Sequence, residues 1–239
     1  MQLRIANLEK KFGGMVAVDA CSFECASSTI TALVGPNGSG KSTIFNIITG
    51  VIRPDAGEVC LGDERLSGRR PHEIARRGIG RTFQTTRLFK SLSVLDNILL
   101  GATNGNSEAL AHEGRMLLAE FDLVDRADAY ARALSFGQQR LVELARALIA
   151  KPRFVLLDEP FAGMSPAMAM DLQRHVSALP KRGIGVLLIE HNLAIVKELC
   201  PRVLVLHRGR VIADGAPDAL NRDPLVIAAY IGDAGAVEA

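Results

Sequence analysis

No long hydrophobic run occurs in this chain. Short apolar stretches such as VLL at 155–157 and VLLI at 186–189 fall far below the roughly 20 residues that a membrane span needs, so any membrane role is expected to run through a partner. Cysteine is sparse too. Cys21, Cys25, Cys60 and Cys200 show neither paired CxxC spacing nor the density of a secreted disulfide scaffold, and reduced thiols in cytosol are the expectation. The opening MQLRIANLEKKF lacks an apolar core behind a charged start, which gives no signal-peptide pattern and no expectation of export. Charge of one sign is not in excess: a formal net charge of +2 asks for neither nucleic acid nor an anionic membrane surface. Within that balance Arg69, Arg70, Arg76, Arg77, Arg81, Arg87 and Lys90 cluster. They read first as a solvated basic face and second as a contact for phosphates or a partner's acidic groups.

What is present suffices for a sizeable core, since 48% of the 239 residues are hydrophobic. TITALVG at 29–35 is a β-branched run leading into glycine-rich sequence, and KSTIFNIIT then has helical character until Gly50. FVLLD at 154–158 and GVLLIE at 185–190 are apolar without alternation, as in strands buried on both faces of a mainly parallel sheet. LRIANLEKKF and VAVDACSFEC alternate like half-exposed antiparallel strands, and RVLVLHRGRVIADG resembles a hairpin around Arg208-Gly209, so an antiparallel flank on the parallel core is expected. Between about 87 and 150 the pattern becomes helical, with Ser93 and Ser107 as candidate caps. TNGNS at 103–107 reads as a flexible connector, and the tail DAGAVEA as a fraying end.

GPNGSGKS at 35–42 fits GxxxxGK[ST], a loop whose backbone N–H groups converge on phosphate oxygens while the next helix presents its positive end. Gly35, Pro36, Asn37, Gly38, Ser39 and Gly40 form the cradle, with Thr43 following in the helix; Lys41 reaches the β- and γ-phosphates and Ser42 offers a hydroxyl to Mg²⁺. FVLLDE ends a buried strand on two acids, which call for a counter-charge that a metal would supply. Asp158 then suits Mg²⁺, and Glu159 suits polarising water for attack on the γ-phosphate. His191, alone, is an ordinary strand-end histidine; after LLIE it reaches the sheet edge where ligands of open α/β folds collect. Gln84 in RTFQ serves metal or water without adding charge, or is simply a loop residue.

In LSFGQQR at 134–140, Ser135 and Gln138 make a capping box ahead of Leu141, Leu144, Ala145, Leu148 and Ile149 at helical spacing. Gly137 in the first turn costs up to about 1 kcal/mol relative to alanine, and a cap alone does not require it. The phosphate loop, the Gln84 segment, LSFGQQR, LLDEP and His191 stand in the order found in ATP-binding-cassette ATPases, and the resemblance spans nearly the whole chain. LSFGQQR is similar to that family's LSGGQ signature, with Phe136 in place of its first glycine.

The resemblance implies an α/β fold: a P-loop NTPase core with a mainly parallel sheet, an antiparallel β flank and an inserted α-helical subdomain. It implies one nucleotide-binding domain over 1–239, with core 1–86 and 151–239 and helical signature subdomain 87–150. It also implies ATP and Mg²⁺ as cofactors, with Ser42, Gln84 and Asp158 toward the metal and Lys41, Gln84, Glu159 and His191 in catalysis. Two ATP molecules would be sandwiched in a head-to-tail dimer, homo- or heteromeric, with Ser135, Gly137 and Gln138 of one subunit closing over the γ-phosphate held by the other. Phe12 in KKFGG matches the aromatic that stacks on adenine, and its bland reading is a hairpin aromatic. Ser165 stands where the family usually has an aspartate.

GIGRTFQTTRLFKSLSVLDNILLG at 78–101 and the tail DPLVIAAYIG resemble ATPases of branched-chain amino acid, amide and urea uptake. LLDEPFAGM and GVLLIEHN equally resemble the ATPase of lipopolysaccharide export. The expectation is an importer subunit at the cytoplasmic face of the membrane, bound to a separate permease and not to nucleic acid. Leu88 and Phe89 would border the permease groove, or else pack the helical insertion onto the core. The alternatives are an exporter subunit or a soluble non-transport ATPase.

Overall fold

The computed structural model describes residues 1–220 and 222–234; the tail expected to fray lies, from 235 on, outside the described residues. Strands β1 (Gln2–Phe12) and β2 (Met15–Ala26) pair as an antiparallel hairpin, and their alternation turns Leu3, Ile5, Val18, Cys21 and Phe23 inward. With β4 (Ala56–Leu61) and β5 (Glu64–Arg65) they make a four-stranded sheet in the order β2-β1-β4-β5.

The second sheet has six strands. β3 (Ile30–Val34), β6 (Ile79–Arg81), β7 (Phe154–Asp158), β8 (Gly185–Ile189) and β9 (Arg202–His207) run parallel, and β10 (Arg210–Gly215) pairs antiparallel with β9, in the order β10-β9-β3-β8-β7-β6. Its two faces own separate cores. Ile30, Val155, Leu157, Val186 and Leu188 face one cluster, while Leu33, Phe154, Leu156, Leu187 and Ile189 face the other. Burial on both sides is why these strands read as unbroken apolar runs.

Helix α1 (Lys41–Ile48) is clamped between the sheets, sharing Ile44, Phe45, Ile47 and Ile48 with the core that also takes Leu3, Val59 and Ile74 of α2 (Pro71–Arg76). The opposite face is covered by α3 (Val94–Leu99), α4 (Ser107–Glu120), α5 (Phe136–Leu148), α6 (Pro166–Ala178) and α7 (Leu193–Leu199), then α8 (Pro217–Leu220) and α9 (Pro224–Ala234). The helical stretch has no separate core, because Leu118 and Val142 lie in one cluster with Val155 of the sheet.

The expected antiparallel flank is present as a separate four-stranded sheet across α1, and β10 adds an antiparallel edge to the parallel sheet itself. Other sequence expectations are corrected. Helix α4 is capped by Asn106, whose side chain accepts from the Glu108 N–H at 2.9 Å, so Ser107 is its first helical residue. Arg81 does not join a solvated basic face: only 9% of its side chain is exposed. All four cysteines are buried and unpaired, and burial pushes the thiols of Cys21, Cys25 and Cys200 up to about 12.

Candidate active site

The phosphate loop joins the carboxyl end of β3 to α1 and is braced from two sides. The Gly209 N–H in the β9–β10 turn donates to the Ser39 carbonyl at 2.8 Å, and the Asp19 N–H of β2 donates to the Gly209 carbonyl at 3.0 Å. Gly40, which precedes α1, has φ +107°, and a Cβ there would stand 2.4 Å from the Ala17 carbonyl oxygen; no other residue fits without a backbone shift. Lys41 folds back over the loop, its Nζ donating to the carbonyls of Gly35 and Pro36 at 2.8 Å each. Burial pushes its pKa down, against the pull of nearby Glu159 and Asp158. The cation is thus parked where an incoming phosphate would take over from carbonyls. Phe12 pairs with Met15 at the tip of the hairpin whose Ala17 touches the loop; it is 43% exposed, with the Lys10 ammonium 5.5 Å from its ring centre.

The ends of β7 and β8 carry the acids. Asp158 Oδ2 accepts from Arg81 at 3.2 Å, and the same guanidinium donates to Asn46 Oδ1 and Thr49 Oγ1 of the α1 segment at 2.7 and 2.9 Å. A protein cation, not a metal alone, therefore answers the buried charge. Desolvation still outweighs it and raises the Asp158 pKa.

Glu159 follows in a left-handed conformation, φ +47°, a strained geometry for a non-glycine residue that persists only when neighbours fix it. They do. Its N–H donates to the Ile189 carbonyl at 2.9 Å, Gln84 Nε2 donates to Oε2 at 3.0 Å, and His191 Nε2 lies 2.9 Å from Oε1. Residues 75 and 32 positions away in the sequence thus meet on one carboxylate.

LSFGQQR opens α5. The Gln138 N–H donates to Ser135 Oγ at 3.3 Å and Gln138 Oε1 accepts from the Ser135 N–H at 3.0 Å, which is the expected capping box. A Cβ at Gly137 would fall 2.2 Å from Met168 Cε, the movable end of a flexible side chain, and 3.3 and 3.4 Å from its Cγ and Cβ, so α6 packs close against this turn without by itself requiring glycine. Phe136 is 42% exposed, near Gly163 and 5.2 Å from the Arg140 guanidinium. Among the described residues no hydrogen bond joins 135–139 to the chain's own phosphate loop.

Sequence reasoning missed how this helix is tied to Gln84. Arg140, 4% exposed, donates to the carbonyls of Phe83 and Gln84 at 2.8 and 2.6 Å and pairs with Glu143 at 3.3 Å. Glu143, 2% exposed, also accepts from the Arg87 N–H at 2.8 Å, while Arg146 donates to the Arg87 carbonyl at 2.6 Å. Charged residues on a helix whose neighbours are almost all buried were the available signal.

Ser42, Asp158 and Gln84 offer only oxygen donors once the Gln84 Nε2 is given to Glu159, a set that fits a hard cation such as Mg²⁺. Leu88 and Phe89 separate: Leu88 packs against the core, whereas Phe89, 56% exposed, lines a groove of about 430 Å³ with Val51, Pro71, Phe83, Arg87 and Arg146.

A family model described as ABC transporter matches residues 18–162, and one described as branched-chain amino acid ATP-binding cassette transporter matches residues 210–236. The chain is 35% identical to the high-affinity branched-chain amino acid transport ATP-binding protein BraF of Pseudomonas aeruginosa, over 97% of this chain and 98% of that protein. It is 37% identical to the lipopolysaccharide export system ATP-binding protein LptB of Acidithiobacillus ferridurans, over 97% of each. The solved ADP conformation of an ATP-binding cassette of an ABC transporter superposes with a TM-score of 0.89 at 35% identity, covering 97% of this chain and 99% of that one.

Proposed function

The chain belongs to the ABC transporter ATPase family, and from that premise we propose that it powers an importer of branched-chain amino acids or related small amides. It is an ATPase that dimerises and works with membrane permease components. None of its described helices is long and apolar enough to cross a membrane, and its place in the proposal is peripheral, on the cytoplasmic face beneath the permease.

The observation that carries the reading is the convergence of Gln84 and His191 on Glu159 beside a phosphate loop. In the proposed reaction the loop N–H groups and Lys41 hold the β- and γ-phosphates. Glu159 takes a proton from water as the oxygen bonds to the γ-phosphorus and the bridging P–O bond breaks, giving ADP and phosphate. His191 and Gln84 hold the carboxylate in place, and Lys41 offsets the negative charge that grows on the transferred group. Ser42, Asp158 and Gln84 would hold Mg²⁺, which when bound neutralises phosphate charge. Ser135, Gly137 and Gln138 of a second subunit complete the site from the other side, where the start of α5 presents N–H groups to an anion. Phe12 stacks on adenine.

The groove beside Phe89 takes a short helix of the permease, an apolar floor rimmed by Arg87 and Arg146. A second reading, the ATPase of a lipopolysaccharide-type exporter, draws on the identity to LptB; the match over 210–236 favours import.

Purified chain should hydrolyse ATP, and Glu159→Gln should bind ATP, lose about 10²- to 10⁴-fold in turnover, and accumulate as a dimer by light scattering. A Glu159→Gln protein that turns over normally, or stays monomeric with ATP at high concentration and on the permease alike, would sink the mechanism. Uptake of labelled leucine by vesicles carrying chain and permease separates import from export.

A further inference from the structure

One buried carboxylate near the site has no role in that chemistry. Glu190, directly after β8, is 5% exposed, and its Oε1 accepts from two successive backbone N–H groups, His191 and Asn192, each at 3.1 Å. Its Oε2 is buried with no hydrogen-bond partner. Asn192 in turn caps α7, its Oδ1 accepting from the N–H groups of Ala194 and Ile195 at 3.0 and 3.4 Å. His191 therefore hangs between two side-chain caps, and its ring reaches Glu159 at 2.9 Å.

The helix already has its cap in Asn192, so α7 does not require Glu190. Keeping a carboxyl buried with one oxygen unsatisfied is costly, and burial raises its pKa accordingly. What the residue gains in return is control of two N–H groups, and one of them belongs to His191. Strand β8 fixes the other end of the same unit, because the Ile189 carbonyl accepts from the Glu159 N–H.

We propose that Glu190 is a positioning residue for hydrolysis: by holding the His191 backbone it sets the imidazole against Glu159. The inference rests on the reading of Glu159 as the group that activates water.

The test is steady-state ATP hydrolysis by the full chain and two variants. Glu190→Leu, similar in volume and free of buried charge, is expected to keep its melting temperature and its KM for ATP but to lose about 10- to 100-fold in kcat. Glu190→Gln keeps the accepting oxygen and should restore kcat to within about threefold of the wild type, the rescue a lost charge would not give. The His191 and Asn192 amides should exchange slowly with deuterium in the wild-type protein. Wild-type turnover by Glu190→Leu overturns the proposal, as does a Glu190→Gln as slow as Glu190→Leu. Fast exchange at both amides in the wild type also overturns it, and that measurement needs no variant to fold. Failure of the parent reading looks different, because Glu159→Gln would then hydrolyse ATP normally whatever happens at position 190.

Discussion

The phosphate loop and the α5 end of the site are built from different materials. Residues 35–43 are contiguous, and their geometry comes from backbone: a left-handed Gly40 against Ala17, a Ser39 carbonyl held by Gly209, and a lysine parked on two carbonyls. The α5 end is assembled from side chains spread over 83–146, with Arg140 and Glu143 buried and paired to tie the helix to the backbone around Gln84. A loop made of backbone tolerates loss of a neighbouring side chain but not of glycine. A clamp made of buried ions behaves the other way, since removing one partner strands the other charge.

The largest expected effect sharpens the first half of that contrast. Lys41→Ala should leave the braced loop folded, with melting temperature little changed, while hydrolysis falls by about 10²- to 10³-fold and ATP binding weakens. Nucleotide titration and turnover measure both. If the variant unfolds instead, the lysine is holding the loop carbonyls as structure, and the loop is not built by backbone alone.

Glu143→Ala tests the other half. It leaves Arg140 and Arg146 facing a buried gap, and denaturant unfolding should show a loss of about 3–5 kcal/mol. Replacing both Arg140 and Glu143 with leucine should cost less than the single change, because only Arg146, which reaches water at 15% side-chain exposure, is then left without its carboxylate. Additive losses would mean the clamp is not a unit.

A smaller effect follows from protonation. Burial, outweighing Arg87, Arg140 and Arg146, raises the Glu143 pKa above its ordinary 4.5. The folded state thus holds this proton more tightly than the unfolded chain does. The contribution to stability is fully present below the unfolded value and is lost as pH rises through the folded one. Measured against Glu143→Gln, which does not titrate, the wild type should lose relative melting temperature as pH climbs from the ordinary glutamate range. A wild type that instead gains melting temperature relative to Glu143→Gln over that range would mean that the arginines win.

The contrast also explains what could be read in advance. The phosphate loop, the apolar strands on either side of it and the capping box at Ser135 are local patterns, so the residues themselves carried them. Glu159 was legible for the same reason, standing at the end of an apolar strand. Its φ of +47° and its hold on Gln84 and His191 were not, because these depend on which strands lie side by side. Arg81 reads as solvated because seven basic residues spread over 69–90 look alike until β6 is placed beside β7. Arg140 and Glu143 lay in plain view in α5, but periodicity marks apolar faces and says nothing about a charge that finds its partner across a gap of 56 or 57 residues.

The smallest expected effect on the isolated chain is at Phe89, beyond both regions. The residue is 56% exposed, and its backbone is what the fold uses: the N–H donates to Asn97 Oδ1 at 2.8 Å and the carbonyl accepts from Asn97 Nδ2 at 3.0 Å. Alanine keeps both bonds, so Phe89→Ala should change unfolding free energy by no more than about 0.5 kcal/mol. Leu88→Ala is the internal control, because Leu88 packs against the core and its loss should register clearly in the same unfolding curve. The groove reading adds a second measurement, retention of the permease subunits during purification, which should fall for Phe89→Ala as an exposed aromatic anchor is removed. The clamp makes this more than a surface effect, since Arg87 and Arg146 line the groove beside Phe89 and are held by the same Glu143 that pairs with Arg140. On the proposed reading, a helix seated there would press on the segment that carries Gln84. Phe89→Ala that holds the permease as firmly as the wild type would cut that connection, leaving the α5 clamp as a stabilising device with no reach to the membrane.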